Sequence, residues 1–193
     1  MMIGVIRMEK WHNRRNIRLK GYDYNAPGAY FLTICVENRK CVLSRIVGSN
    51  IFEGPGIELL PYGTIVEKYI HQLNAFYEHL SVDSYVIMPN HIHILLRVQE
   101  GPSGTPVPTS HSGNDQPIVG AGLLDTPRTN QNSVVSQFIS TFKRFCNKEY
   151  GKNIWQARSY DHVIRDQADY DQHLQYIYNN PFRWQEDELY AEE

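Results

Sequence analysis

The chain of 193 residues suits one domain with an insertion or a tail. At 41% hydrophobic it can fill a sizeable core, yet its longest apolar runs fall far short of a membrane span. Residues 1–7 are too few and too soon charged to read as a secretory signal. Three cysteines, Cys35, Cys41 and Cys146, lack any Cys-x-x-Cys spacing, which argues against a disulfide framework and a structural zinc site. A reducing cytoplasm is the expected setting.

The net charge of −2 speaks against nucleic acid only until its distribution is considered. Arg7, Lys10, Arg14, Arg15, Arg18 and Lys20 crowd the start of the chain against a single acid, Glu9. Glu186, Asp187, Glu188, Glu192 and Glu193 crowd its end, and removing those five acids moves the balance from −2 to +3. A clustered basic arm is the footprint that a phosphate backbone needs; a solvated tail is the ordinary alternative. The division expected is an arm over 1–28, a folded domain over 29–184 and an acidic tail over 185–193 that keeps clear of substrate.

In chain order, a turn-rich passage around Pro27-Gly28 leads into residues 29–36, dense in aromatic and β-branched side chains, which read as a buried strand. Residues 41–57 are ambiguous, with Gly54-Pro55-Gly56 suggesting a short hairpin. Ile65, Tyr69, Leu73 and Phe76 recur at helical spacing and predict a helix over 62–79. Two strands follow, 81–88 and 91–98, joined by the Pro89-Asn90 turn and therefore antiparallel neighbours. Residues 99–132 turn rich in Gly, Pro, Ser and Thr and read as a flexible insertion.

Val134, Phe138, Phe142 (or Ile139) and Phe145 mark a helix over 133–150 that Gly151 closes. A strand over 159–165 and a helix from about 166 to 180, stopped by Pro181, complete the order strand, helix, strand, strand, helix, strand, helix. That is an α+β split β-α-β pattern, twice over, with one added C-terminal helix. The simplest architecture is a four-stranded antiparallel sheet with helices on one face.

Two features carry chemistry. In the run Met88-Pro89-Asn90-His91-Ile92-His93, strand alternation puts His91 and His93 on one face and Ile92 on the other. Two adjacent imidazoles can hold one divalent metal, although most His-x-His pairs are only polar residues on a solvated face. On the last helix, Tyr170, His173, Leu174 and Ile177 form the stripe that faces the sheet. Tyr176 and Asn180, four apart, share one flank, and Tyr178 lies on the other. A phenol and an amide oxygen beside a histidine-held cation suit phosphoryl transfer with a covalent step.

Weaker candidates surround these. Arg14, Arg15, Arg18 and Lys20 could grip phosphates. Trp155 could stack a base, though a tryptophan before a strand is more often core, and Arg158 follows it closely. At most one of His162 and Arg165 can line the site, because their faces differ. Tyr22 and Tyr24 could meet bases or staple the arm to the sheet.

Four blocks resemble the REP-associated tyrosine transposases in order and spacing, and together they span nearly the whole chain. They are residues 14–31 (from Arg14-Arg15-Asn16-Ile17-Arg18-Leu19-Lys20-Gly21 to Tyr30-Phe31), 86–93, 155–165 (from Trp155-Gln156-Ala157-Arg158) and Tyr176-Ile177-Tyr178-Asn179-Asn180-Pro181. The resemblance implies a ferredoxin-like fold of the single-tyrosine HUH transposases. It implies that His91, His93 and Asn180 hold Mg²⁺ or Mn²⁺ and that Tyr176 is the nucleophile. The activity implied is cleavage and rejoining of single-stranded DNA at hairpin elements through a 5′-phosphotyrosine, by a monomer or homodimer near the bacterial nucleoid. The alternatives are a silent hairpin-binding module of the same fold and a phosphohydrolase without a covalent step.

Overall fold

The computed structural model describes residues 21–50, 54–100 and 133–192. The predicted contacts at Arg14, Arg15, Arg18 and Lys20, and nearly all of the 99–132 insertion, lie outside the described residues.

Among the described residues, six strands and three α-helices follow one another: β1 (Gly28–Cys35), β2 (Ser44–Asn50), β3 (Gly54–Leu59), α1 (Pro61–Phe76), β4 (Leu80–Ile87), β5 (His91–Val98), α2 (Val134–Tyr150), β6 (Tyr160–Val163) and α3 (Gln167–Asn179). The ambiguous stretch is the hairpin β2–β3, a separate two-stranded sheet. The main sheet runs β4-β5-β1-β6 with every neighbouring pair antiparallel. This is the strand order of a ferredoxin-like α+β sheet, as the element order predicts.

Strand alternation sorts the sheet into two faces. Tyr30, Leu32 and Ile34 of β1 and Ile92, Ile94 and Leu96 of β5 point to α1 and α2 and form the larger core. Each fully buried Leu or Ile in that layer contributes roughly 1.5–3 kcal/mol. Phe31 and Leu95, one residue out of phase, point to the opposite face, where Val86, Met88 and Ile177 of α3 join them in a smaller core. Two helices thus cover one face, and the added third lies alone on the other.

The α1 stripe differs from the predicted one. Tyr62, Val66, Ile70 and Leu73 are buried, whereas Ile65 and Tyr69 only flank the core. The two stripes share Leu73 and are about one residue's rotation apart, so spacing alone does not separate them. Tyr69 is drawn outward by Glu149, whose carboxylate accepts its hydroxyl at 2.7 Å beside Lys68. The α2 stripe is as expected at Val134, Phe138 and Phe142, with Ser133 capping the start and Gly151 at φ 84° ending it. Tyr22 packs edge-on against Tyr24 and Tyr30, and Tyr24 lies tilted against Tyr30, so the two staple the end of the arm to the sheet.

Candidate metal and nucleophile site

The site grows out of the register of β1 and β5. Thr33 pairs with His93 and Cys35 with His91, which brings Thr33 beside the imidazoles on the α3 face. His91 is 0% exposed and His93 3%, so the pair lies within the protein rather than on a solvated strand face. Their Nε2 atoms are 3.0 Å apart. Two lone pairs cannot face each other at that distance, so a proton or a cation must lie between them.

Burial, and then the Arg39 guanidinium, push the His91 pKa down to about 3. Burial, and then His91, hold His93 well below the usual histidine range. Both rings are therefore neutral at physiological pH, which is the ligating form.

α3 lies across this face as its stripe predicts. His173 and Ile177 are buried and Tyr170 and Leu174 partly so, with Phe31 wedged against His173 at 4.6 Å and His93 at 5.0 Å between ring centroids. The Tyr176 ring meets His93 edge-on at 5.1 Å. Asn180 is 3% exposed, and its Oδ1 is buried with no hydrogen-bond partner among the described residues. A buried amide oxygen without a donor is costly, and this one belongs to a side chain whose Nδ2 is bonded to Asp187, beside the histidine pair.

The tail supplies the residue that sequence reasoning missed. Pro181–Glu186 forms a 3-10 turn whose Trp184 is buried 6.0 Å from the His91 ring, and this folds the following residues back over the site. Asp187 Oδ2 accepts from Tyr176 Oη at 3.2 Å and from Asn180 Nδ2 at 2.8 Å. The ligating atoms of Asp187, His91 and His93 all lie within 4.8 Å of one another. The acidic tail expected to keep clear of substrate thus packs against the candidate ligands. Its acid-rich composition hid this, and the one signal was Trp184, an apolar anchor among charges. Burial, and then the Asp187 carboxylate, raise the Tyr176 phenol well above its ordinary pKa.

Two imidazoles, an amide oxygen and a carboxylate are a donor set that divalent Mg²⁺ or Mn²⁺ accepts. His91, His93, Asn180 and Asp187 are the residues that would hold it.

The remaining candidates fall elsewhere. Trp155 is 3% exposed and packed against Tyr62 and Phe142. It is a core residue, and no ring face is open for base stacking. Arg158 is exposed and on the surface. Of His162 and Arg165, only His162 turns inward: it stacks on His173 and meets Asp169 at 2.9 Å. Asp169 also accepts from Arg165 N, and His173 Nδ1 lies 2.8 Å from the Asp169 carbonyl, so this second cluster is a hydrogen-bonded clamp between β6 and α3.

A ferredoxin-like sheet with a histidine pair and a helix-borne tyrosine on one face is thus the class of protein the fold and site define. No family model matches the chain. A Haemophilus influenzae protein of uncharacterised function is 30% identical over 186 residues, spanning 94% of this chain and 95% of its own. An Escherichia coli REP-associated tyrosine transposase is 26% identical over 160 residues, 83% of this chain and 70% of its own. The structure of a REP-associated tyrosine transposase bound to a REP hairpin superposes with a TM-score of 0.52 at 20% identity, covering 86% of this chain and 74% of that one. In sequence the chain is similar to REP-associated tyrosine transposases, and it shares the fold of one. Among the described residues, no helix is long and apolar enough to cross a membrane.

Proposed function

We propose that the protein is a metal-dependent transposase that cleaves and rejoins single-stranded DNA at hairpin elements, with Tyr176 as the nucleophile. The observation that carries this reading is the convergence of the facing His91 and His93 Nε2 atoms, the unpartnered Asn180 Oδ1 and the Tyr176 ring on one sheet face.

In cleavage the Tyr176 oxygen attacks the phosphorus, forming a tyrosyl 5′-phosphate as the bond to the 3′-oxygen breaks. The phenol proton leaves toward Asp187, already its hydrogen-bond acceptor, and the departing oxygen takes up a proton to become a 3′-hydroxyl. Attack on the phosphotyrosine by another strand's 3′-hydroxyl reverses the same bond changes, so no nucleotide cofactor is needed. A divalent Mg²⁺ or Mn²⁺, when bound, neutralises charge developing on the phosphate oxygens. The imidazoles stay uncharged, so a tautomer shift alone frees both Nε2 lone pairs for it. Packing of α3 through Phe31, His173 and Ile177 fixes the height of the phenol above the sheet. Relatives of transposase name, and a similarly folded transposase solved with a bound REP hairpin, support the choice of substrate class.

The test is a denaturing gel of the protein incubated with single-stranded hairpin DNA and Mn²⁺. The expected result is a covalent protein–DNA adduct that disappears with EDTA and in Tyr176→Phe. An adduct that persists in Tyr176→Phe would falsify the nucleophile assignment. Hairpin binding with no adduct under any metal would favour a silent binding module.

A further inference from the structure

We infer that Asn90 and Thr33 are positioning residues that set the tautomers of the two histidines: Asn90 holds His91 as a ligand, and Thr33 lets His93 alternate between a closed pair and a ligating one. This rests on the metal reading above.

Asn90, at the turn before β5, is 1% exposed. Its Nδ2 contacts two backbone carbonyls, Leu189 O at 2.7 Å and Arg39 O at 3.3 Å. Carbonyl oxygens only accept, so the nitrogen end of the amide must face them. The other end, Oδ1, then faces His91 Nδ1 at 2.8 Å. An acceptor there requires a proton on Nδ1, which leaves the lone pair of a neutral His91 on Nε2, aimed at His93. The assignment follows from the bonding network.

Thr33 is a different device. Its Oγ1 lies 2.9 Å from His93 Nδ1, and a hydroxyl can give or accept. When Thr33 donates, His93 carries its proton on Nε2 and donates it to the His91 lone pair across the 3.0 Å gap. The pair is then satisfied without a cation. When Thr33 accepts, the proton sits on His93 Nδ1, and both Nε2 lone pairs face a common ligand. The two states have the same charge and differ by one ring proton and one hydroxyl rotation. Partners of this kind set ligand orientation and basicity, and their loss costs about 10- to 100-fold in metal affinity.

The experiment pairs histidine side-chain ¹H–¹⁵N spectra of the metal-free chain with Mn²⁺ titrations followed by EPR. The metal-free spectrum is expected to show His91 protonated on Nδ1 and His93 on Nε2. Thr33→Val keeps the side-chain shape and is expected to bind Mn²⁺ at least 10-fold more weakly, with a lowered metal-free melting temperature because the buried His93 Nδ1 loses its donor. Thr33→Ser, which restores the hydroxyl, is expected to recover affinity to within about threefold of the parent.

His91 protonated on Nε2, or parental Mn²⁺ affinity in Thr33→Val, overturns the inference alone. Failure of the parent chain to take up Mn²⁺ overturns the metal reading, and this inference with it. Should Thr33→Val misfold, the His91 tautomer in the parent and in Asn90→Ser decides: loss of the Nδ1 proton preference in Asn90→Ser supports the inference, and its retention overturns it.

Discussion

At the scale of single residues, the histidine pair is a stability liability that the fold carries for its site. Both rings are buried and neutral, with His91 held at about 3 against an unfolded value of 6.5. Below pH 6.5 the unfolded chain takes up protons that the folded one refuses. Stability is therefore fully present above about pH 7 and falls as pH drops from 6.5 toward 3. Each such ring removes up to about 1.4 kcal/mol per pH unit, so His91 alone should cost about 2 kcal/mol at pH 5. Urea denaturation of metal-free protein at pH 7.5, 6 and 5 measures this, and His91→Gln should flatten the slope. A stability unchanged between pH 7 and 5 would mean that water reaches the rings. The faces of His91 and His93 were legible from strand alternation, and those of Tyr176 and Asn180 from helical spacing. Asp187 was not, because its position depends on where Trp184 lodges, and that is a tertiary contact which no local pattern encodes.

At the scale of elements, the pattern placed both long helices and all four strands of the main sheet, since each carries either strict alternation or a 3.6-residue stripe. It blurred where two solutions were nearly equivalent. The α1 stripe rotated by about one residue, and the predicted strand over 159–165 shortened to the four residues Tyr160–Val163, paired only with β1. The hairpin β2–β3 was ambiguous because glycines interrupt its alternation. Its anchor is Gly63, near the start of α1, where an added Cβ would collide with the carbonyl oxygen of Leu43 just before β2. Backbone is the obstacle there, so relief requires moving the helix or the strand. Gly63→Ala is expected to destabilise by about 2–3 kcal/mol, the upper part of the overpacking range. Gly151→Ala meets nothing within 4 Å and should cost only the strain of its φ of 84°, roughly 1 kcal/mol. Thermal melts of the two variants test the ranking, and a larger loss at Gly151 would contradict the close approach seen at Gly63.

At the scale of the whole molecule, charge is segregated rather than absent. The tail folds onto the site and brings Asp187 to it, with Asn90 and Arg39 holding the Leu189 and Glu188 carbonyls. The six bases between Arg7 and Lys20 stand at the opposite end of the sequence. A net charge of −2 therefore understates what a phosphate backbone would meet. If the arm grips the substrate, affinity for hairpin DNA should fall steeply with salt, at about 0.7–0.9 log units per tenfold rise in salt for each phosphate neutralised. Deleting residues 7–20 should flatten that slope by roughly 3 if four of its six cations sit on phosphates. Metal affinity should be untouched, because the proposed ligands lie on β5, at the end of α3 and in the tail. Fluorescence anisotropy from 50 to 300 mM salt, on the full chain and the deletion, separates the two contributions. An unchanged slope would take the arm out of the interface and leave exposed bases of the folded domain, Arg158 among them, to carry the phosphate contacts.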